Sequence, residues 1–134
     1  MIPPEARALF NIRFNDHHTS ARLRAWIAGI LAEEAPDHDM AFRLSGESFL
    51  TAPGPFVAAL QRAVRRQTGL EPALDAGGGT SDARFLAQYC PVAELGAVGS
   101  TMHQVDECVP VAEIAALTNI YEALLKAYFA KPPL

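Results

Sequence analysis

The sequence is poor in positive charge and lacks long apolar runs, and each shortage excludes a class of protein. Its 11 lysine and arginine residues stand against 15 acidic ones, for a net charge of −4. Nucleic-acid-binding proteins neutralise phosphates with clustered basic side chains, so this balance argues against a nucleic-acid partner. No apolar run approaches the roughly 20 residues of a membrane helix, and the sequence does not open with the basic-then-apolar pattern that would predict a signal peptide. We therefore expect a cytoplasmic protein that binds neither nucleic acid nor membrane.

Cysteine is also scarce, since the chain holds only Cys90 and Cys108. The two thiols lack the spacing of a zinc finger and would make a sparse disulfide framework, so we expect both to be reduced. By contrast, half of the 134 residues are hydrophobic. That length and composition suffice for the core of one ordinary domain.

The N-terminal part of the chain predicts a β-α-β unit. Residues 8–14 and 40–44 alternate between apolar and other side chains, which is typical of strands with one buried face. Between them, Thr19 or Ser20 can cap a helix that Pro36 stops. The apolar positions of this helix follow helical spacing and are expected in the core: Leu23, Trp26, Ile27, Ile30 and Leu31.

Beyond a glycine- and proline-containing boundary at residues 45–54, the sequence favours longer helices. Pro55 suits the first turn of a helix that Gly69 ends, and Pro110 precedes a second, long helix. A short apolar run at residues 92–95 predicts a buried strand. The chain is therefore expected to be α/β, with the boundary between two parts at residues 45–54.

Three glycines, Gly77 to Gly79, precede a predicted short helix. Without a Cβ, their backbone N–H groups can approach a ligand closely. Ser81 or Asp82 can cap the helix, so the glycine turn would lie at the positive end of a helix dipole, where an anionic group is favoured. We expect the apolar face of this helix to hold Phe85, Leu86 and Tyr89. The alternative is an ordinary glycine-rich turn without a ligand.

A single histidine, His103, lies in a polar loop beyond the predicted strand, and Asp106 and Glu107 follow it. Such a histidine is a candidate metal ligand. By contrast, His17 and His18 are adjacent in a helix-capping loop, and adjacent residues rarely chelate one ion. We interpret both as solvated.

Several segments together resemble one enzyme family. They read Gly-Gly-Gly-Thr-Ser-Asp-Ala-Arg-Phe, Glu-Leu-Gly and Ser-Thr-Met-His-Gln-Val-Asp-Glu-Cys-Val, with Phe-Asn-Ile-Arg-Phe, Leu-Ser-Gly, Phe-Leu-Thr and Pro-Gly upstream. Over nearly its whole length the chain is similar to the C-terminal part of the desuccinylases. These belong to the zinc-dependent family of aminoacylases, acetylornithine deacetylases and glutamate carboxypeptidases.

This resemblance implies a fragment of a two-domain, zinc-exopeptidase-like architecture. Residues 1–50 would complete a ferredoxin-like lid that also mediates dimerisation, and residues 51–134 would be the C-terminal part of the catalytic α/β domain. The implied reaction is zinc-dependent amide hydrolysis, which removes succinate from an N-succinylated diamino-dicarboxylic acid on the way to diaminopimelate and lysine. The implied cofactor is a pair of zinc ions, with cobalt as a substitute. The expected partners are a small N-acylated amino acid and a second copy of the chain.

The resemblance assigns His103 as a ligand of one zinc ion. Asp106 and Glu107 are candidates to hydrogen-bond its imidazole, with simple solvent exposure as the alternative. The other ligands and the catalytic glutamate lie, in this family, upstream of the matched region. No catalytic residue is therefore expected in this chain, and we predict that it is inactive alone. The spacing of Asp82, Glu94 and the thiols supports none of them as replacement ligands.

Substrate contacts are implied at four positions that match the family: Arg13, Ser45, Gly79 and Thr80. Arg13 matches an arginine that pairs with a substrate carboxylate, for which a planar guanidinium is suited. The alternatives are a solvated arginine and, for Ser45, a simple turn residue. Gly99 departs from the family, which usually carries asparagine there, so one substrate hydrogen bond is lost.

Two other functions fit the same sequence. The first is a related deacylase or dipeptidase with a different acyl specificity, suggested by Gly99. The second is a catalytically silent module that folds or dimerises without turning over a substrate.

Overall fold

The computed structural model describes residues 3–77, 79 and 81–130. All regular secondary structure in these residues is helical, and the four helices are α1 (Ser20–Glu34), α2 (Pro55–Thr68), α3 (Ala83–Leu86) and α4 (Val111–Phe129). The chain divides into two compact units that each join two separate stretches of sequence. The first unit combines Met1–Leu50 with Gly78–Phe85, and the second combines Thr51–Gly77 with Leu86–Leu134.

The three expected strands, at residues 8–14, 40–44 and 92–95, are not formed in the described part of the chain. The prediction of an α/β fold with a β-α-β lid was therefore wrong for these residues. Alternating side chains indicate which side of a strand would be buried, but a strand forms only when its backbone pairs with a neighbour. No such pairing occurs here, and Leu9 is fully exposed, at 101%.

Helix α1 begins where the sequence predicted. The Thr19 side chain accepts a hydrogen bond from the backbone N–H of Arg22 at 3.3 Å, which satisfies one of the unpaired N–H groups of the first turn. Glu47, far along the sequence, adds a second cap. Its carboxylate accepts hydrogen bonds from the backbone N–H of Ser20, at 3.1 Å, and from the Ser20 hydroxyl. A carboxylate at a helix N-terminus also interacts favourably with the helix dipole.

The expected apolar face of α1 is mostly uncovered. Leu23 is its only buried residue, while the Trp26 side chain is 61% exposed. The prediction that Trp26 packs in the core was wrong, because helical spacing identifies an apolar face but not the element that covers it.

Helices α2 and α4 pack against each other and form the core of the second unit. The buried cluster consists of Ala63, Val64, Ile120 and Leu124. Helix α2 ends as expected at Gly69, whose φ of 73° is a left-handed conformation that costs glycine little. Helix α4 starts directly after Pro110, as predicted. Among the described residues, no helix has the length and apolar character needed to cross a membrane.

Candidate functional site

The predicted site residues fall into both units. Arg13, Ser45 and Gly79 belong to the first unit, and His103 belongs to the second. Each of the four is exposed. The fourth predicted substrate contact, Thr80, lies outside the described residues.

The loop that carries His103 is closed by its own hydrogen bonds. The Thr101 hydroxyl donates to the carbonyl oxygen of Cys108 at 2.8 Å and accepts from the Cys108 N–H at 3.0 Å. Within the loop, the Gln104 N–H donates to the Thr101 carbonyl at 3.0 Å. The base of the loop is tied to α4, because the Glu113 carboxylate accepts from the Val98 N–H at 3.0 Å.

His103 occupies an uncommon backbone conformation. Its φ is 63°, and Asp106 has a φ of 62°. Both lie in the left-handed region, which residues other than glycine adopt infrequently, with histidine and aspartate among the more frequent exceptions. The Glu107 carboxylate accepts a hydrogen bond from the His103 backbone N–H at 3.2 Å. The sequence made Glu107 a candidate to hydrogen-bond the imidazole of His103. In the structure its carboxylate contacts the backbone of His103 instead.

The space beside Gly99 is filled by Met102. A Cβ placed on Gly99 would meet Met102 Cε at 2.5 Å and Met102 Cβ at 3.4 Å. The Met102 N–H also donates to the Gly99 carbonyl at 3.1 Å, which closes a turn directly before His103. The space that a side chain at position 99 would use is therefore occupied by the Met102 side chain.

Arg84 is a candidate site residue that sequence reasoning missed. Its side chain lies against Gly46, where a Cβ would approach Arg84 Cδ to 2.6 Å, and its guanidinium carbon lies 4.7 Å from the centre of the Phe85 ring. The Nε atom of Arg84 is buried and makes no hydrogen bond to any group in the described ranges. A buried donor without a partner is costly and rare, and this feature distinguishes Arg84 within the described ranges. Arg84 belongs to the motif that carries the family resemblance, but its contact with Gly46 has no sequence signal.

The helix after the glycine turn is shorter than expected. Helix α3 has only 4 residues, capped by a hydrogen bond from the Ala83 N–H to the Ser81 hydroxyl at 3.1 Å. Its expected apolar face is exposed, and Tyr89, 86% exposed, lies beyond its end. One helical turn has a small dipole, so the predicted anion site at this terminus loses its main physical support.

The described residues do not form a complete metal site. Nowhere in residues 3–77, 79 and 81–130 do three histidine, cysteine, aspartate or glutamate side chains come close enough to hold one ion. A catalytic zinc needs about three protein ligands, so His103 alone does not satisfy this requirement.

The sequence pattern of peptidase family M20/M25/M40 matches residues 13–127, which is most of the chain. The chain belongs to peptidase family M20/M25/M40. This M20 match contains Arg13, Ser45, Gly79 and His103, and it ends within α4.

Curated M20-like relatives are similar over almost the whole chain. A succinyl-diaminopimelate desuccinylase of Acidiphilium cryptum is 53% identical over 129 residues, which cover 96% of this chain and 35% of the relative. The enzyme of the same name from Paracoccus denitrificans is 53% identical over 134 residues, covering 97% of this chain and 35% of the relative. That from Caulobacter vibrioides is 52% identical over 134 residues, with the same coverage. The chain thus spans about a third of the length of these relatives.

Proposed function

We propose that this chain is part of an enzyme that hydrolyses the amide bond of N-succinyl-diaminopimelate and releases succinate, a step in diaminopimelate and lysine biosynthesis. The observation that carries this proposal is the 53% identity, over 96% of the chain, to a relative named for that reaction. The expected cytoplasmic location and the homodimer belong to the same proposal.

The substrate carries carboxylates on both its diaminopimelate part and its succinyl part, so its recognition requires cationic and hydrogen-bonding groups. We assign this role to Arg13, Ser45, Gly79 and Thr80, and we add Arg84. Support for Arg84 comes from its buried Nε, which has an unused hydrogen, and from its contact with Gly46, next to Ser45. A guanidinium held against a ring and a glycine has lost side-chain freedom before the substrate arrives, which lowers the cost of binding.

His103 is proposed as one ligand of a metal centre whose remaining ligands are outside this chain. The family resemblance and the exposed position of His103 in a closed loop support this role. The described residues contain no cluster of side chains that could hold a metal ion. The 134-residue chain by itself is therefore expected to be inactive.

The test compares the 134-residue chain with the complete protein that contains it, using N-succinyl-diaminopimelate and an assay for released succinate. We expect turnover by the complete protein and none by the chain alone. In the complete protein, Arg84→Ala should raise KM or lower kcat/KM by about tenfold or more, since a charge-assisted hydrogen bond to the substrate is lost. Desuccinylation by the isolated chain, or its absence in the complete protein, would overturn the proposal.

A related deacylase or dipeptidase is the second candidate, and Met102 is the observation that favours it. Its thioether fills the space beside Gly99, so the turn before His103 offers an apolar surface in place of an amide. Comparing kcat/KM for succinyl, acetyl and dipeptide substrates decides between the two, because a related deacylase would prefer the acetyl substrate and a dipeptidase the dipeptide.

A further inference from the structure

We propose that Glu107 is a positioning residue for the reaction, because it holds the backbone of His103 in the left-handed conformation from which the imidazole is presented. This inference rests on the proposed function of His103 and adds a role for a residue outside that site. The carboxylate acts on His103 through the backbone N–H, at 3.2 Å.

The conformation of His103 needs such support. A residue other than glycine in the left-handed region is less stable than in the common regions, and it persists there only when its surroundings enforce it. His103 and Asp106 both have positive φ within one loop. The hydrogen bonds of that loop are therefore the contacts that can enforce this conformation. A hydrogen bond to a charged acceptor is stronger than one to a neutral acceptor, so the bond to the Glu107 carboxylate can offset such a cost.

The rest of the loop places Glu107 where it can act. Thr101 is bonded to both the N–H and the carbonyl of Cys108, so the residue after Glu107 is fixed to the residue two before His103. This closure brings the Glu107 side chain within hydrogen-bonding distance of the His103 N–H. Among the hydrogen bonds within residues 101–108, the bond of Glu107 is the one that reaches the His103 backbone N–H.

The experiment uses the complete protein with three variants. Glu107→Ala removes the acceptor, whereas Glu107→Gln removes the charge and keeps an acceptor oxygen. Asp106→Asn is the matched control, since it removes the same charge from the neighbouring residue, and asparagine tolerates positive φ. The measurements are amide hydrogen exchange over residues 99–108, kcat and KM for the succinylated substrate, and the melting temperature.

For Glu107→Ala we expect exchange in this segment to be roughly tenfold faster, because a hydrogen bond to a charged acceptor is lost. We expect kcat to fall by a similar factor while KM and the melting temperature change little. Glu107→Gln should restore most of the lost kcat, because it keeps an acceptor oxygen, and Asp106→Asn should leave the exchange in this segment unchanged.

Three results would overturn the proposal: unchanged exchange in Glu107→Ala, unchanged kcat in that variant, or a glutamine variant as impaired as the alanine variant. An unmodified protein without desuccinylase activity would instead overturn the proposed function. In that case the inference fails as a statement about the reaction, and the exchange result still shows whether Glu107 holds the loop.

Discussion

At the scale of single residues, Gly46 and Arg84 form a pair whose fit can be measured. A Cβ on Gly46 would lie 2.6 Å from Arg84 Cδ and 2.7 Å from Nε, so alanine forces the arginine to move. Because the arginine side chain is flexible and can shift, we expect Gly46→Ala to lower the free energy of unfolding by no more than about 1 kcal/mol, the low end of the range for overpacking. In the double variant with Arg84→Ala the loss should shrink, because the clash is gone. Denaturant unfolding of all three variants measures this coupling, and additive losses would show that the two residues do not interact.

A matched control is available at Gly29. A Cβ there meets nothing within 4 Å, and the residue lies within α1. Gly29→Ala is therefore expected to be neutral or stabilising, because alanine is favoured over glycine in a helix interior by up to about 1 kcal/mol. A loss of stability as large as that of Gly46→Ala would remove the explanation by steric contact.

For single residues, the sequence predicts which residues belong to the site but not how their side chains make contact. Arg13, Ser45, Gly79 and His103 all lie in the M20 match, and their roles are still predictions. Motif order identifies such residues because chemistry restricts which side chains can occupy them. It does not reveal that Met102 folds over Gly99 or that Glu107 contacts a backbone amide, because these contacts depend on the path of the loop in three dimensions.

At the scale of elements, the contact of α2 with α4 should dominate the stability of the second unit. Ile120 is 4% exposed within the buried cluster, so Ile120→Ala removes well-packed apolar volume. We expect it to cost about 2–5 kcal/mol in unfolding free energy. Val111 lies on the same helix and is 81% exposed, so Val111→Ala should change stability by less than about 0.5 kcal/mol. Chemical denaturation of both variants checks this contrast, and similar costs would mean that α4 is not packed as described.

Helix α4 also carries an ion pair between Glu122 and Lys126, and its effect on the pKa of Glu122 can be measured. The Lys126 ammonium lies 2.5 Å from a Glu122 carboxylate oxygen, and this hydrogen bond, together with its charge, holds the pKa of Glu122 below its ordinary value. Because the folded-state pKa is depressed, the pair stabilises the helix above the unfolded-state pKa, and that contribution is lost as pH falls through the folded-state value. Lys126→Met should raise the pKa of Glu122 toward its ordinary value in an NMR titration. No rise would show that the pair does not form in solution.

Helix boundaries were predictable because local chemistry determines them. Thr19 as a cap, Pro55 in a first turn and Gly69 at a C-terminus were all read from the sequence and are confirmed. The strands were not, because pairing of backbone groups depends on a neighbouring strand that no local pattern specifies. Trp26 was misplaced for a similar reason, since its burial depends on a covering element.

At the scale of the whole molecule, the exposed apolar side chains should make the chain associate. Large hydrophobic residues such as Phe10, Trp26, Leu50 and Phe129 are exposed. Exposed apolar patches recruit partners or aggregate. We expect dimers or larger species of the 134-residue chain at micromolar concentration. Sedimentation velocity measures this directly, and a uniform monomer would contradict the prediction.

The order in which the chain visits its two units has a consequence for how it can be cut. It passes from one unit to the other at Leu50–Thr51, at Gly77–Gly78 and again at Phe85–Leu86. A single protease cut at any one of these junctions leaves at least one other covalent link between the units. To release the short stretch Gly78–Phe85 from the second unit, the chain must be cut on both sides of it. A gene that ends after Leu50 therefore does not encode the complete first unit, because this stretch is missing. A first unit expressed in that way would lack Arg84 and its packing contact with Gly46.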